Sequence, residues 1–238
     1  MAGTFYQWFS QRRLTRFGGA RRARIEATRL ALLNAAAGRA GDMIELGPGH
    51  GGIAEAAARA GWRYLAVEAS PVLAEQLRLR GFDVMQAWVP PIPVPDAGYD
   101  AVYADQVLEH MPGIDAARDL TSEAWRVLRP GGVFFVVVPD YLKERAFFFD
   151  IDYTHNFVTT ERRMGQLLAD GGFTVERMVR SIGAATGPAR AFLAAGAGLV
   201  NLPGLDAAAR ALGATDSLFR VRKNLFQTLT FVARKPVG

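Results

Sequence analysis

Short apolar runs alternate with helix-forming segments along most of the chain. Five of these runs suit buried strands, at residues 42–46, 63–68, 82–87, 99–104 and 132–139. Helix-like segments lie before or between them, at residues 27–39, 51–60, 71–80 and 115–129. Strands and helices that alternate at this spacing predict a doubly wound α/β fold, in which helices cover both faces of a mostly parallel sheet.

The C-terminal part of the chain departs from this rhythm. Two further runs, 173–182 and 225–234, alternate enough to be strands at or near a sheet edge, and they bring the sheet to seven strands. Between them, residues 184–224 have the pattern of two short helices. We therefore predict four regions: a basic and aromatic helical segment (1–40), an α/β core (41–183), a helical insert that is a lid or a dimer surface (184–224), and a final edge strand (225–238).

Composition limits the class of protein. The chain has 238 residues, 50% hydrophobic and 21% charged, which suits one α/β domain with an embellishment. It has no cysteine, so disulfides, thiolate metal sites and cysteine nucleophiles are excluded. The N-terminus has no apolar signal-peptide core, and no uncharged stretch is long enough to cross a bilayer. We expect a cytoplasmic protein that could still touch a membrane surface.

Positive charge is concentrated near the N-terminus. Glu26 is the only acid among the first 30 residues, which hold seven arginines at positions 12, 13, 16, 21, 22, 24 and 29. Five aromatic residues interleave with them, which favours packing over a free arm: Phe5, Tyr6, Trp8, Phe9 and Phe17. A basic segment could meet an acidic substrate, an anionic membrane or nucleic acid. No nucleic-acid-reading motif accompanies it, so nucleic acid is a minority interpretation.

A glycine-rich stretch, "MIELGPGHGGIAEAA", joins the first predicted strand to a helix. Glycine in such a turn lets a ligand approach the main chain, and free N–H groups at a helix start favour an anionic group. Gly47, Gly49 and Gly51 give G-x-G-x-G, while the first two with Gly52 give the dinucleotide pattern G-x-G-x-x-G. The loop alone therefore leaves both classes of nucleotide-like ligand open.

The second candidate feature is Glu68, which ends the next apolar run about twenty residues after the loop. An acid there can accept hydrogen bonds from both hydroxyls of a ribose, although it could also cap the next helix, a role open to Ser70. A hydride-transfer enzyme of the short-chain type would need Tyr-x-x-x-Lys, and none of the six tyrosines has a lysine four residues on. A dinucleotide oxidoreductase remains as a remote alternative.

Four ordered motifs together resemble the class I S-adenosylmethionine-dependent methyltransferases. They are "IELGPGHGG", "VEAS", "IPVPDAGYDAVYADQVLEHMP" and "RVLRPGGVFFVVVPD". The resemblance covers roughly residues 25–182 and is closest to the small-molecule group that includes the ubiquinone and menaquinone biosynthesis enzymes. It implies a Rossmann-like methyltransferase fold, S-adenosylmethionine as the cofactor and a last strand inserted antiparallel at the sheet edge.

The resemblance also implies a set of cofactor-binding residues. The glycine loop would lie under the methionine portion, Glu68 would hold the ribose, and residues 86–88 would flank the adenine. Ala104 and Asp105 would face the methionine amine and the sulfonium. The full predicted set is Glu45, Gly47, Pro48, Gly49, Gly51, Glu68, Ala69, Gln86, Ala87, Trp88, Ala104 and Asp105.

Two positions depart from the family pattern. The aspartate that the family commonly places near the adenine is absent from Gln86-Ala87-Trp88. Some quinone O-methyltransferases also carry Glu-x-x-Glu-His after the fourth strand, a pattern suited to a metal. This chain has glutamine in place of the first acid, at Gln106, so we expect no metal.

Three histidines, His50, His110 and His155, follow predicted strands and so should reach the ligand-binding edge of the sheet. Methyl transfer is an in-line displacement that depends mainly on alignment, but a base helps a hydroxyl acceptor. His50 lies inside the cofactor loop, so His155 and His110 are the candidate catalytic residues. Residues 147–149, three phenylalanines, could line an apolar acceptor pocket or belong to the core.

We predict a methyltransferase that transfers a methyl group from S-adenosylmethionine to a small molecule, with oxygen as the favoured acceptor atom. The apolar insert points to a hydrophobic or amphipathic acceptor, and the protein could be a homodimer. The alternative is a methyltransferase that acts on protein or nucleic acid through its arginine-rich N-terminal segment.

Overall fold

The structure of the protein, a computed structural model, describes residues 16–237. The described residues contain seven strands: β1 (Asp42–Leu46), β2 (Arg63–Glu68), β3 (Asp83–Gln86), β4 (Tyr99–Asp105), β5 (Leu128–Pro139), β6 (Thr174–Ile182) and β7 (Gln227–Arg234). The helices of the same range are α1 (Arg16–Ala37), α2 (Ala54–Arg59), α3 (Pro71–Leu79), α4 (Ile114–Val127), α5 (Tyr141–Glu144), α6 (Phe147–Asp150), α7 (Glu161–Asp170), α8 (Gly187–Leu199), α9 (Leu205–Ala211) and α10 (Thr215–Asn224).

The strands form one sheet in the order β3-β2-β1-β4-β5-β7-β6. The five strands from β3 to β5 pair in parallel, and β7 pairs antiparallel with both β5 and β6. The predicted doubly wound, mostly parallel seven-stranded fold is confirmed. The prediction of a final edge strand at 225–238 is wrong: β7 lies inside the sheet and its first seven residues are buried, while β6 forms the edge.

The hydrophobic core lies on both faces of the sheet, because successive strand residues point to opposite sides. Ile44 and Phe134 belong to one buried cluster, whereas Met43 and Phe135 belong to the other. The second cluster includes Leu33 of α1, so this helix covers one face of the parallel strands. Because β1, β2, β3 and β4 are parallel, their carboxyl ends lie at one edge of the sheet, where loops can form a site.

The helical insert has three helices, α8, α9 and α10, where the sequence predicted two. The additional break follows α9 at Gly213, whose φ is +63°, a left-handed conformation that glycine adopts without strain. Large apolar side chains of the insert are exposed, among them Phe192 and Leu212. Within residues 16–237, none of the helices has the length and apolar character needed to span a membrane.

The described part of the N-terminal segment, residues 16–40, forms a longer helix than the sequence predicted. Helix α1 begins at Arg16, eleven residues before the helix predicted at 27–39, and it ends before Gly38, whose φ is +74°. Residues 1–15 lie outside the described part of the chain, and the four aromatic residues and two arginines predicted to pack there lie outside it as well: Phe5, Tyr6, Trp8, Phe9, Arg12 and Arg13.

Candidate active site

The glycine loop connects β1 to α2 at the carboxyl edge of the sheet. Gly47, Gly49 and Gly51 have φ values of +60°, +57° and +65°, the left-handed region in which a side chain is strained. The loop is tied to its surroundings by main-chain bonds: the Gly47 amide donates to the carbonyl of Val67 (2.9 Å), and the Gly51 amide donates to that of Pro48 (2.8 Å). The shape of the loop therefore depends on glycine at three alternate positions.

Glu68, at the end of β2, is joined to this loop. One carboxylate oxygen accepts from the Gly49 amide (3.0 Å) and the other accepts from the Ser70 amide (2.8 Å). The side chain is only 4% exposed, and burial raises the pKa of its carboxyl against the lowering effect of these hydrogen bonds. Ser70 caps α3 by accepting from Leu73, so Glu68 is not the helix cap. Each Glu68 oxygen keeps a second lone pair for a ligand hydroxyl.

Asp105 ends β4 on the other side of β1. One of its oxygens accepts from Arg29 of α1 and from the hydroxyl of Tyr103 (3.4 Å). The other oxygen, Oδ1, is buried and has no hydrogen-bond partner among the described residues. A buried carboxylate oxygen without a partner is costly, so this atom is suited to receive a donor from a ligand. The preceding residue, Ala104, is fully buried in the core.

Helix α1 forms a wall of the site that the sequence did not predict. Arg22, Glu26 and Arg29 lie at helical spacing on one face of α1, and Arg22 donates to the Glu26 carboxylate (2.7 Å). A Cβ atom on Gly52 would overlap the Glu26 carboxylate, so α1 packs directly against the glycine loop. The i, i+4, i+7 spacing of these charged residues was the available signal.

Glu45, in β1 just before the glycine loop, is buried. Its buried carboxyl accepts from the hydroxyl of Tyr64 on β2. Burial raises the pKa of Glu45 to about 8, with a further contribution from the charge of Asp105. At neutral pH this acid is therefore largely protonated, and its local role is a hydrogen bond between β1 and β2.

The strand β3 delivers residues 86–88 beside Glu68. The Ala87 amide donates to the Glu68 carbonyl (3.1 Å), and half-buried Ala69 follows Glu68 along the same edge. Gln86 is exposed and the Trp88 side chain is 62% exposed. The twelve predicted cofactor residues thus lie along the carboxyl ends of β1 to β4, and their predicted contacts with a cofactor stay predictions.

Two of the three histidines lie together. The rings of His110 and His155 have centroids 4.9 Å apart. His155 Nδ1 is 2.6 Å from the carbonyl oxygen of Phe148, which can only accept, so this nitrogen carries the proton. The Thr154 hydroxyl donates to Asp152 (2.7 Å) and so accepts from His110 Nδ1 (2.7 Å). Each Nε2 therefore has a free lone pair, and burial lowers the pKa of both imidazoles.

Glu109 completes a cluster with these histidines. It lies on a short 3-10 helix, Leu108–His110, with its side chain fully buried and both carboxylate oxygens unpartnered in the described range. One ligand atom from each of Glu109, His110 and His155 lies within 4.8 Å of the others. This donor set is suited to a cation, although the lost acid at Gln106 led us to expect no metal. His50 lies elsewhere, in the glycine loop, where Arg80 donates to its carbonyl (2.7 Å).

A cavity of about 1020 Å³ adjoins the ends of β5 and β7. Phe147 and Phe149 line it from α6, while Phe148 between them is fully buried with its ring 4.6 Å from that of His155. The opposite wall belongs to α8 of the insert and includes Arg190 and Ala194. The cavity is therefore amphipathic, and Phe148 connects its wall to the histidine pair.

Part of the chain is similar to known methyltransferases. The family model of the methyltransferase domain matches residues 44–136. A "Probable S-adenosylmethionine-dependent methyltransferase" of Mycolicibacterium smegmatis is 36% identical over 111 residues, which are 46% of this chain and 41% of that relative. The match thus spans less than half the length of the relative.

Solved structures share the fold. A SAM-dependent methyltransferase from Archaeoglobus fulgidus has a TM-score of 0.63 at 17% identity, over 90% of this chain and 94% of that one. Geranyl diphosphate C-methyltransferase from Streptomyces coelicolor A3(2), solved with Mg²⁺, geranyl diphosphate and S-adenosyl-L-homocysteine, has a TM-score of 0.62 at 18% identity, over 88% of this chain and 80% of that one. At such identities the likeness establishes the fold alone.

Proposed function

We propose that this chain is a class I S-adenosylmethionine-dependent methyltransferase and that it transfers the methyl group of S-adenosylmethionine to an oxygen atom of a small molecule. The observation that carries the proposal is the junction of the glycine loop with Glu68. A loop with three left-handed glycines meets the buried Glu68 carboxylate there, joined to it by the hydrogen bond from the Gly49 amide. The unpartnered Asp105 oxygen lies at the end of β4, on the other side of β1. The cofactor supplies a methyl group on a sulfonium, whose departure leaves a neutral thioether.

The residues of the site fit this cofactor. We assign the two ribose hydroxyls to Glu68, because both of its oxygens keep lone pairs at the end of β2. Asp105 Oδ1 is a buried acceptor suited to the methionine ammonium. Arg29, held beside it by the ion pair, is suited to the methionine carboxylate, because a guanidinium binds a carboxylate through two parallel hydrogen bonds. Exposed Trp88 is suited to cover the adenine.

The acceptor is assigned to the cavity beside α6 and α8. Its phenylalanine wall suits a hydrophobic body, while Arg190 supplies a cation whose buried Nε has no partner in the described range. The helical insert would then act as a lid over the acceptor rather than as a dimer surface. This arrangement supports an amphipathic acceptor with an anionic or strongly polar group.

Acceptor activation is assigned to the histidine pair. A hydroxyl attacks well only when it loses its proton, and groups placed to favour that loss accelerate the transfer. His155 and His110 each present an unprotonated Nε2, and both are neutral at pH 7 because burial lowers their pKa values. Nitrogen acceptors with a free lone pair need no such help, so this pair supports oxygen as the acceptor atom.

Action on protein or nucleic acid through the arginine-rich segment is the second candidate. The contacts of three of the five described arginines among the first 30 residues weigh against it. Arg29 binds Asp105, Arg22 binds Glu26, and Arg21 donates to the carbonyl of Asn224 (2.9 Å). Side chains engaged in such contacts are less available to phosphates or acidic peptides. The lack of cysteine supports a reducing compartment, and we place the reaction in the cytoplasm.

Calorimetric titration with S-adenosylmethionine, S-adenosylhomocysteine and NAD in parallel tests the proposal. We expect the first two to bind with one site per chain and NAD to give no signal, because the site offers Asp105 and Arg29 to an amino acid rather than to a pyrophosphate. Binding of NAD without S-adenosylhomocysteine would overturn the assignment.

A further inference from the structure

We propose that Glu109, His110 and His155 form a binding site for a divalent transition-metal cation, of which Zn²⁺ suits the donors best. This site contains the two histidines assigned to acceptor activation, so it deepens the proposed function: their Nε2 atoms would hold the cation, and the cation would favour proton loss from the acceptor. Cation binding itself does not depend on methyl transfer. The inference goes against the sequence-based expectation of no metal, because the third ligand comes from a distant loop rather than from the position of Gln106.

The donor atoms are already gathered. One ligand atom from each residue lies within 4.8 Å of the other two. Zinc binds imidazole nitrogen and carboxylate oxygen at about 2.0–2.2 Å, which puts the donors of a tetrahedral site about 3.4 Å apart. Closing this gap needs movements of the order of 1 Å, and two histidines with one glutamate leave the fourth position for water or a substrate oxygen.

The hydrogen bonds behind the histidines prepare them for this role. Metal-binding histidines usually donate their other ring N–H to a carbonyl, carboxylate or similar acceptor, which fixes the tautomer and the ring orientation. His155 donates in this way to the Phe148 carbonyl, and His110 donates to Thr154, which is itself held by Asp152. Both Nε2 atoms are left to bind a cation.

Glu109 gives an independent reason to expect a ligand. Its side chain is 0% exposed, and neither carboxylate oxygen has a hydrogen-bond partner in the described part of the chain. An ionised carboxylate without a counter-charge is strongly disfavoured in such surroundings. The other charges that act on it are those of Asp105, Asp152 and Arg29, and the two acids add to the repulsion. A bound cation would supply the missing partner.

The main chain links the ligands to each other. The Glu109 carbonyl accepts from the amides of Asn156 (2.8 Å) and Phe157 (3.0 Å), which fastens the His155 loop to the 3-10 helix. The site is therefore pre-formed rather than assembled from separate flexible segments. A hydroxyl bound at the open position of a cation would lose its proton to water more readily, because the positive charge lowers its pKa.

The experiment is a titration of the chelator-treated protein with CoCl₂, followed by the visible absorption of tetrahedral Co²⁺, and with ZnCl₂ by calorimetry. We expect one ion per chain. Glu109→Gln keeps the shape of the side chain but removes its charge, and His155→Gln removes an imidazole. Each should weaken binding by more than about tenfold, because even the loss of a hydrogen-bond partner behind a metal ligand has an effect of that size. Thr154→Val removes no ligand atom but removes the hydroxyl that accepts from His110 and donates to Asp152, and it should weaken binding by about 10-fold to 100-fold.

His50→Ala is the matched control, because this histidine lies outside the cluster, and it should bind Co²⁺ as the wild type does. The inference is overturned if the wild type gives no tetrahedral Co²⁺ band at one equivalent, or if both Glu109→Gln and His155→Gln bind Zn²⁺ unchanged. Thermal unfolding checks that each variant is folded. If one of the two ligand variants does not fold, the other still tests the site. If S-adenosylhomocysteine still binds while Co²⁺ does not, the metal site fails and the proposed function stands.

Discussion

The two ends of the ligand-binding edge are built differently. At the ends of β1, β2 and β4 the site is built from main-chain amides and carboxylates. An example is the hydrogen bond of 3.0 Å from the Gly49 amide to the Glu68 carboxylate. Beside β5 and β7 the helices leave a cavity of about 1020 Å³ lined by aromatic and charged side chains. We call these regions the cofactor half and the acceptor half.

Under the proposed function, this difference bears on what each half would recognise. The cofactor half depends on backbone conformations that only glycine adopts easily, so it suits one fixed ligand. The acceptor half depends on side chains from α6 and the insert, which can change without disturbing the loop, so it suits ligands that differ among related proteins. Substitutions in the two halves should therefore affect different steps.

The largest effect is expected from Gly49→Val. The residue has φ of +57° and its amide binds Glu68, so a β-branched side chain would distort the loop. We expect S-adenosylhomocysteine binding to fall beyond detection by calorimetry, at least about 1000-fold, in a protein that still unfolds cooperatively. Gly196→Val in α8, where a Cβ meets no atom within 4 Å, is the control and should bind normally. Normal binding by Gly49→Val would contradict the placement of the cofactor.

In the acceptor half, His155→Ala should separate turnover from cofactor affinity. Removal of a group that favours proton loss costs about 10²-fold to 10⁴-fold in rate. We expect turnover, followed by transfer of a labelled methyl group to an acceptor found by screening, to fall by that range with the Kd for S-adenosylhomocysteine unchanged. Unchanged turnover would remove His155 from the activating groups.

Arg29→Gln tests whether α1 belongs to the cofactor half. Arg29 pairs with Asp105 and is assigned to the methionine carboxylate, so we expect a loss of about 10-fold to 100-fold in affinity for S-adenosylhomocysteine, the size of a charge-assisted contact. Arg24→Gln, at an exposed position of the same helix, should leave the affinity unchanged. An equal loss in both variants would show that only the overall positive charge matters.

Ala194→Phe fills part of the acceptor cavity. Ala194 lines that cavity from α8, whereas the next residue, Ala195, is exposed and does not line it. We expect kcat/KM for the acceptor to fall about tenfold, the scale of a misfit of one or two methylene groups, with cofactor affinity unchanged. The matched Ala195→Phe variant should behave as the wild type. Equal kinetics for both variants would place the acceptor elsewhere.

The last expected effect concerns Glu45 and pH, and it changes stability rather than binding or turnover. Burial raises the pKa of Glu45 from its ordinary value of 4.5 to about 8. The folded state therefore binds a proton that the unfolded state has lost between these values, and stability falls as the pH rises through that window. We expect a decrease of at most about tenfold in the folding equilibrium constant per pH unit, and Glu45→Gln should reduce this slope. Denaturant unfolding at pH 5, 6, 7 and 8 measures it; an identical slope in the variant would show that Glu45 is not the group responsible.

Local features of the fold followed directly from the sequence. The bounds of β1 and β2 agree with the predicted runs at 42–46 and 63–68, because each is a buried apolar run ended by turn residues. The position of β7 did not follow, since strand order depends on pairing between residues far apart in the chain. The alternating pattern of 225–234 fitted an edge strand as well as an interior one.

The site divides in the same way. The glycine loop and Glu68 could be predicted because their spacing has a mechanical meaning within one βαβ unit. Other contacts could not be predicted, because they join residues that are distant in the sequence. Arg29 and Asp105 are 76 positions apart, and no local pattern in the sequence indicates that His155 lies close to Glu109. The carboxylate of Glu109 could be recognised as unpartnered only once its surroundings were known.

A crystal structure of the full chain with S-adenosylhomocysteine tests the central claim most directly. We expect the ribose hydroxyls within about 3 Å of the Glu68 oxygens, the main chain of the Gly47–Gly51 loop against the amino acid portion, and the ammonium at Asp105 Oδ1. Density for the ligand at any other edge of the sheet, or a ligand whose ribose does not reach Glu68, would contradict the account.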